Sequence, residues 1–271
     1  MIRINFSNIM KDSIGKEGLL KGDFKKVDIK EINKIIASKK YPELDFLNLP
    51  YEDTSAVKQM GSYARGFDYF LLLGIGGSAL GPRTILESMS PFHNFRNKPK
   101  VFIYDNVDPA TLKNIFNVID LKKTVINVIT KSGSTAETIA SFMIIYQKLK
   151  EENLNPEDHL IVTTDPEKGN LRKIVNDYGL KSLSIQSGVG GRYSVLSPVG
   201  LLLAEAIGVN SDDMLKGAKD IHERCMNPKL WGNPAYLFSA GLYLLKKLKK
   251  RSKIGRACVG KECRSRWSPY H

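Results

Sequence analysis

The sequence predicts an α/β fold, a five-stranded parallel sheet between helices. Three observations predict it. Short apolar runs alternate with helix-like segments from residue 67 onward; the runs are continuously apolar rather than alternating; and two glycine- and hydroxyl-rich loops each follow such a run and lead into a helix. Continuous hydrophobicity is expected of strands covered on both faces, as in a parallel sheet sandwiched by helices.

The elements follow in order. Residues 1–66 read as an N-terminal helical segment, with helices over Asp28 to Lys39 and Asp53 to Arg65, a turn at Leu47-Asn48-Leu49-Pro50, and a place along a sheet edge. The strand and helix pairs then run Tyr69 to Leu73 with Thr84 to Met89, Lys100 to Tyr104 with Pro109 to Ile119, and Thr124 to Ile129 with Thr135 to Lys150. Leu160 to Thr163 pairs with Leu171 to Tyr178, and a last strand lies near Leu183 to Ile185. An apolar helix follows over Val199 to Ile207, then one over Asp212 to Met226 capped by Ser211, then one from Pro234 to about Lys250. This organisation reads as an α/β domain over 67–208, the helical start of a second domain over 209–250, and an aperiodic basic tail over 251–271.

Composition narrows the class. The 271 residues are 42% hydrophobic and 25% charged, ordinary for a globular chain able to bury a core. No apolar run approaches the roughly 20 residues that span a bilayer. The N-terminus Met1-Ile2-Arg3-Ile4-Asn5-Phe6 lacks the pattern of a signal peptide, which points to the cytoplasm. Cys225, Cys258 and Cys263 are too few for a disulfide framework and complete no zinc pattern, so reduced thiols and no metal are expected. The formal charge of +13 is concentrated at one end: Leu245 to His271 holds ten basic residues and one acid. The remainder is mildly basic, which fits a binder of small anions; neither nucleic acid nor membrane is expected as a partner.

The chemistry sits in the loops. Gly74-Ile75-Gly76-Gly77-Ser78 follows the first strand, with its helix expected to open at Pro82, and Thr130-Lys131-Ser132-Gly133-Ser134-Thr135 follows the third. A helix start offers unpaired N–H groups and the positive end of the macrodipole, both favourable to phosphate. Glycine permits close backbone approach, the hydroxyls add donors, and the Lys131 ammonium adds a point charge. Beyond the carboxyl ends of parallel strands is where a ligand is expected. A third glycine-rich stretch, Gly188-Val189-Gly190-Gly191-Arg192-Tyr193, precedes the apolar helix. Gly74, Gly76 and Ala79 also satisfy a dinucleotide fingerprint, but Asp105 lies late for its acidic partner and a nucleotide fold gives no reason for the hydroxyl-rich loop. Glu137 reads equally as a first-turn carboxylate or a site residue; Asp105, Asp108 and Asp165 read as caps or turn formers, and His222 as a surface residue.

The stretches GIGGSALGP at 74–82, TKSGSTAET at 130–138 and GGRYSVLSPVG at 190–200, in this order and spacing, closely resemble the phosphoglucose isomerase family; the similarity runs from about Phe46 to Lys250. The resemblance implies two sugar-isomerase domains, each a five-stranded parallel sheet, in a homodimer that uses no metal or cofactor. It implies interconversion of glucose 6-phosphate and fructose 6-phosphate, a step of glycolysis and gluconeogenesis. The phosphate would be held by the hydroxyls of Ser78, Thr130, Ser132 and Thr135 and the backbone of Gly77 and Lys131. Arg192 would stand beside the reacting carbons, where a permanent guanidinium charge stabilises a developing enediolate. The family's catalytic glutamate, histidine and lysine come from the later half of the chain, and no segment here matches them; His93, His159, His222 and His271 lie outside those motifs. The expectation is therefore an isomerase fragment without activity, its tail the product of truncation, a shifted frame or a cloning junction. The alternative is a sensor domain that binds a sugar phosphate without converting it. Apolar residues such as Leu237, Leu242 and Leu245 are expected to be uncovered where a second domain would pack.

Overall fold

The computed structural model describes residues 5–38, 42–89 and 98–250. The chain divides into two compact units, one being Tyr41–Lys219 and the other built from residues on either side of it. Cys258, Cys263, His93, His271 and the basic tail fall outside the described residues.

In the flanking unit, α1 (Lys11–Ile14) and α2 (Ile29–Ala37) precede the larger unit. Asp28 caps α2 by accepting from the N–H groups of Lys30 and Glu31. The larger unit holds α3 (Ser55–Ala64), β1 (Tyr69–Leu73), α4 (Gly77–Met89), β2 (Lys100–Tyr104), α5 (Pro109–Phe116), β3 (Thr124–Thr130), α6 (Ala136–Glu151), α7 (Pro156–His159), β4 (Leu160–Thr164), α8 (Asn170–Tyr178), β5 (Lys181–Ser184) and α9 (Pro198–Ala206). The boundary falls within α10 (Ser211–Cys225), and α11 (Pro234–Lys249) belongs to the flanking unit.

The five strands are all parallel, in the order β2-β1-β3-β4-β5. Successive residues of a strand point to opposite faces, and here each face is covered. Phe70, Leu72, Val125, Ile129 and Ile161 pack with α3 and α9. Leu71, Leu73, Ile126, Val128 and Val162 pack with α5, α6 and α8. Every residue of β3 and β4 is buried, the physical origin of their mostly apolar runs; Asn127 within β3 is buried too and accepts from Thr163 Oγ1 at 2.9 Å.

Four expectations are corrected. Helix α4 opens at Gly77, not Pro82: Gly76 at φ +57° turns the chain, and Ala79 and Leu80 both donate to Gly76 O. Proline is favoured at a helix start but tolerated further in when its missing N–H leaves only one carbonyl unbonded. Helix α3 lies on a sheet face against α9, with Gly61 so close to Glu205 that a Cβ there would collide with it, rather than along an edge. The cap of α10 is Asn210, whose Oδ1 accepts from Asp212 N at 2.8 Å; Ser211 is inside the helix, its N–H and hydroxyl both given to buried Glu205. Finally, Leu237, Leu242 and Leu245 are not uncovered: Leu237 is buried with Leu19, Phe24 and Leu244, Leu245 packs against that cluster, and Leu242 is half-buried, while the exposed large hydrophobics of α11 are Phe238, Tyr243 and Leu248.

Candidate functional site

In the strand order, β1 connects outward to β2 and the chain then returns to β3 on the other side of β1. This reversal is a topological switch point, and the loops leaving β1 and β3 diverge there. Helix α4 goes to the face that carries α9; helix α6 goes to the opposite one. Divergence opens a crevice beyond the carboxyl ends of the two strands. An open cleft of about 590 Å³ lies there, lined by Gly77, Lys131, Ser187, Gly188, Gly190, Gly191, Arg192 and Tyr193.

The β1 loop reaches the cleft through backbone. A Cβ at Gly77 would lie 2.5 Å from the carbonyl carbon of Gly191, so only glycine allows the start of α4 and the 190–193 turn to meet. In the first turn of α4 the N–H groups of Ser78, Ala79 and Leu80 already donate to Ile75 O and Gly76 O, which leaves the Gly77 N–H without an acceptor among the described residues. Ser78 sits in that same turn, half-buried, its hydroxyl without a partner among the described residues.

The β3 loop supplies side chains. Thr130 Oγ1 lies 2.8 Å from Thr135 Oγ1 and 3.3 Å from Ser132 Oγ, and Ser132 Oγ lies 3.4 Å from Thr135 Oγ1. The three hydroxyls thus form a triangle at the start of the 16-residue α6, where Thr135 occupies the cap position but spends no side-chain bond on capping. Helix dipole, free amides and hydroxyl donors converge on one point, as an anion requires. Of the residues singled out in the sequence, Gly77, Lys131 and Arg192 share the cleft, the hydroxyl triangle flanks Lys131, and Ser78 follows Gly77 in the same helical turn.

Lys131 is engaged. Its ammonium donates to Val189 O at 2.8 Å and to Ser187 O, fastening the 187–191 loop over the end of β3. Two of its three donors are committed there, so it borders the cleft as a tether as well as a charge. Arg192 is exposed, and its guanidinium has no hydrogen bond or ion pair among the described residues. Its turn is held by Ser194 Oγ donating to Gly191 O at 2.8 Å and Tyr193 N donating to Gly190 O at 2.9 Å.

The nearby acids have other work. Asp165 accepts from the N–H groups of Glu167 and Lys168, each at 2.9 Å; the first of these bonds above all holds its carboxyl below the usual range, with Lys131 adding a smaller charge effect. Asp105 pairs with Arg83 at 2.8 Å, Asp108 caps α5, and Glu137 is exposed on the first turn of α6. His159 is buried, bonded through Nδ1 to Thr124 O at 2.8 Å. Among the described residues no group of three or more metal-ligating side chains is assembled, and no helix is long and apolar enough to cross a membrane.

Sequence reasoning missed the outer wall. Asp45 lies against Gly188, and the ring of Phe46 stacks on Tyr193 with centroids 4.7 Å apart at 17°. Locally this segment shows only a turn-prone stretch with scattered apolar residues, because its partner lies about 150 residues away.

Residues 52–243 match the model of the phosphoglucose isomerase family. The chain is 39% identical over 253 residues to glucose-6-phosphate isomerase of Carboxydothermus hydrogenoformans, covering 88% of this chain and 54% of that protein. It is 32% identical over 241 residues to the probable glucose-6-phosphate isomerase of Methanococcus maripaludis, covering 87% and 54%. Among solved structures, a hypothetical protein of Thermus thermophilus superposes with a TM-score of 0.72 at 32% identity, over 81% of this chain and 53% of that one. A glucose-6-phosphate isomerase from Chlamydia trachomatis shares the fold, with a TM-score of 0.67 at 21% identity. The chain spans about half the length of the curated relatives it matches.

Proposed function

Because the chain belongs to the phosphoglucose isomerase family, we propose that its cleft binds the phosphate end of a hexose 6-phosphate and presents Arg192 to the sugar. The observation that carries this reading is the hydroxyl triangle of Thr130, Ser132 and Thr135 at the start of α6, across the switch point from the Gly77 N–H that opens α4. Phosphate would take its donors from these groups, from Ser78, and from the backbone of Gly77 and Lys131. The sugar would then extend along the cleft toward Arg192.

Aldose–ketose isomerisation moves a proton between C2 and C1 through an enediolate. Arg192 stabilises that charge as it develops and is not itself deprotonated. The proton also needs a base, and ring opening needs an acid. Among the described residues, those lining the cleft include no carboxylate and no imidazole; Asp45 stands behind Gly188 at the outer wall. We therefore assign to this chain the grip and the electrostatic half of the reaction, with no turnover of its own. We extend the reading to a cytoplasmic protein that pairs as a homodimer when joined to the rest of the family's length.

Isothermal titration tests it. Glucose 6-phosphate and inorganic phosphate should both bind, more weakly as salt is raised, and the Ser78→Ala/Thr135→Ala double variant should lose both. Binding unchanged in that variant would remove these loops as the site.

A further inference from the structure

Arg192 stands on a short turn with its own side chain unanchored, so something else must hold the turn in place. Besides the turn's own hydrogen bonds and the packing of α4 and α9 on it, three contacts reach residues 187–193. Lys131 tethers the loop before it through Ser187 O and Val189 O. Gly77 meets it through backbone at Gly191. On the outer side, the 3₁₀ segment Pro42–Tyr51 lays Asp45 against Gly188 and stacks Phe46 on Tyr193, the residue next to Arg192. The first two contacts come from loops already assigned to phosphate. The third touches no assigned group and precedes the stretch matched by the family model, which begins at residue 52.

We propose that Phe46 is a positioning residue for Arg192: its ring, stacked on Tyr193, braces the 188–193 turn and so fixes where the guanidinium meets the sugar. The physical basis is geometric. Tyr193 is half exposed, and the near-parallel ring of Phe46 covers part of its ring. An offset stacked pair restricts both rings beyond simple area burial. Since Tyr193 and Arg192 are adjacent in the chain, limiting one ring limits the backbone that carries the other side chain. The hydroxyl triangle lies on the separate β3 loop and makes no contact with this pair. The inference rests on the reading that the cleft receives a sugar phosphate, and it separates the two ends of that ligand.

The test compares Phe46→Leu, which keeps an apolar side chain and loses the ring, with Phe46→Tyr, which keeps the ring. Titration with glucose 6-phosphate should show affinity lowered about threefold to tenfold in Phe46→Leu, the equilibrium equivalent of one lost aromatic pair, and restored in Phe46→Tyr. Affinity for inorganic phosphate should stay within about twofold in both. Amide hydrogen exchange without ligand should quicken across 188–196 in Phe46→Leu and remain unchanged across 124–130 in β3. Should Phe46→Leu fail to fold, Tyr193→Leu, altered at a half-exposed position, should give the same exchange pattern. Wild-type exchange at 188–196 in the leucine variants, or equal impairment in Phe46→Leu and Phe46→Tyr, would overturn the brace. A wild-type chain that binds glucose 6-phosphate no better than inorganic phosphate would overturn the sugar-site reading instead, and the exchange result would still decide the brace.

Discussion

Substituting Gly77 by alanine tests whether the close approach of the α4 start to the 190–193 turn is a built feature of the site. The new Cβ would lie 2.5 Å from the Gly191 carbonyl carbon and 3.0 Å from its Cα, where ordinary carbon contact begins at about 3.5 Å. Both atoms are backbone, so neither can rotate aside; the turn must move by roughly 1 Å. Overpacking of this kind costs about 1–3 kcal/mol. Alanine also restricts the unfolded chain and favours helix, which returns about 0.4–1 kcal/mol. Gly217 supplies the control, because it is exposed in α10 and a Cβ there meets nothing within 4 Å. Gly217→Ala should therefore show the helix gain alone, and the gap between the two variants should equal the overpacking cost, about 1–3 kcal/mol. At about 2–4 °C per kcal/mol for a unit of this size, thermal denaturation followed by circular dichroism should place Gly77→Ala roughly 2–12 °C below Gly217→Ala. The same displacement should weaken glucose 6-phosphate binding in titration. A gap smaller than about 0.5 kcal/mol would show that the two backbones are not in contact and refute the argument.

The remaining expectations concern the site's charge and its supports. Arg192→Lys should weaken glucose 6-phosphate while leaving inorganic phosphate unchanged in titration, since a point charge cannot reproduce the planar fork at the sugar; equal weakening of both would assign Arg192 to the phosphate instead. Asp165 has a folded-state pKa below its ordinary 3.8, so its contribution is present above that pH and lost as pH falls through the folded value. Asp165→Asn should accordingly be less stable than wild type at neutral pH, with the difference closing below about pH 3.8 in urea melts taken across pH; a constant difference would refute the assignment. Glu205→Leu should cost about 2–3 kcal/mol by leaving the N–H and hydroxyl of Ser211 unpaired in the interior, with Glu205→Gln closer to wild type by chemical denaturation. In a coupled assay the 271-residue chain should show no isomerase turnover, and robust turnover would place a base and acid in it that the cleft does not display.

What the sequence determined by itself was the part encoded in short-range pattern. The parallel strands were legible because burial on both faces demands mostly apolar runs, as in Thr124–Thr130, and the two loops proposed to hold phosphate because glycine and hydroxyl residues stand directly between strand and helix. Long motifs such as TKSGSTAET then named the family. Tertiary structure alone decided the rest. Strand order placed the two loops on either side of one switch point, and no local pattern records which strand pairs with which. Pro82 misled because a proline's favoured place and its tolerated place differ by contacts made elsewhere. Leu237 was expected uncovered and is instead closed over by Leu19 and Phe24, more than 200 residues earlier. The role of Lys131 as a loop tether, the meeting of Gly77 with Gly191 and the stacking of Phe46 on Tyr193 all join residues far apart in sequence. Local composition fixes what a segment prefers to be, whereas a site is a set of distances between segments, and those exist only once the chain has packed.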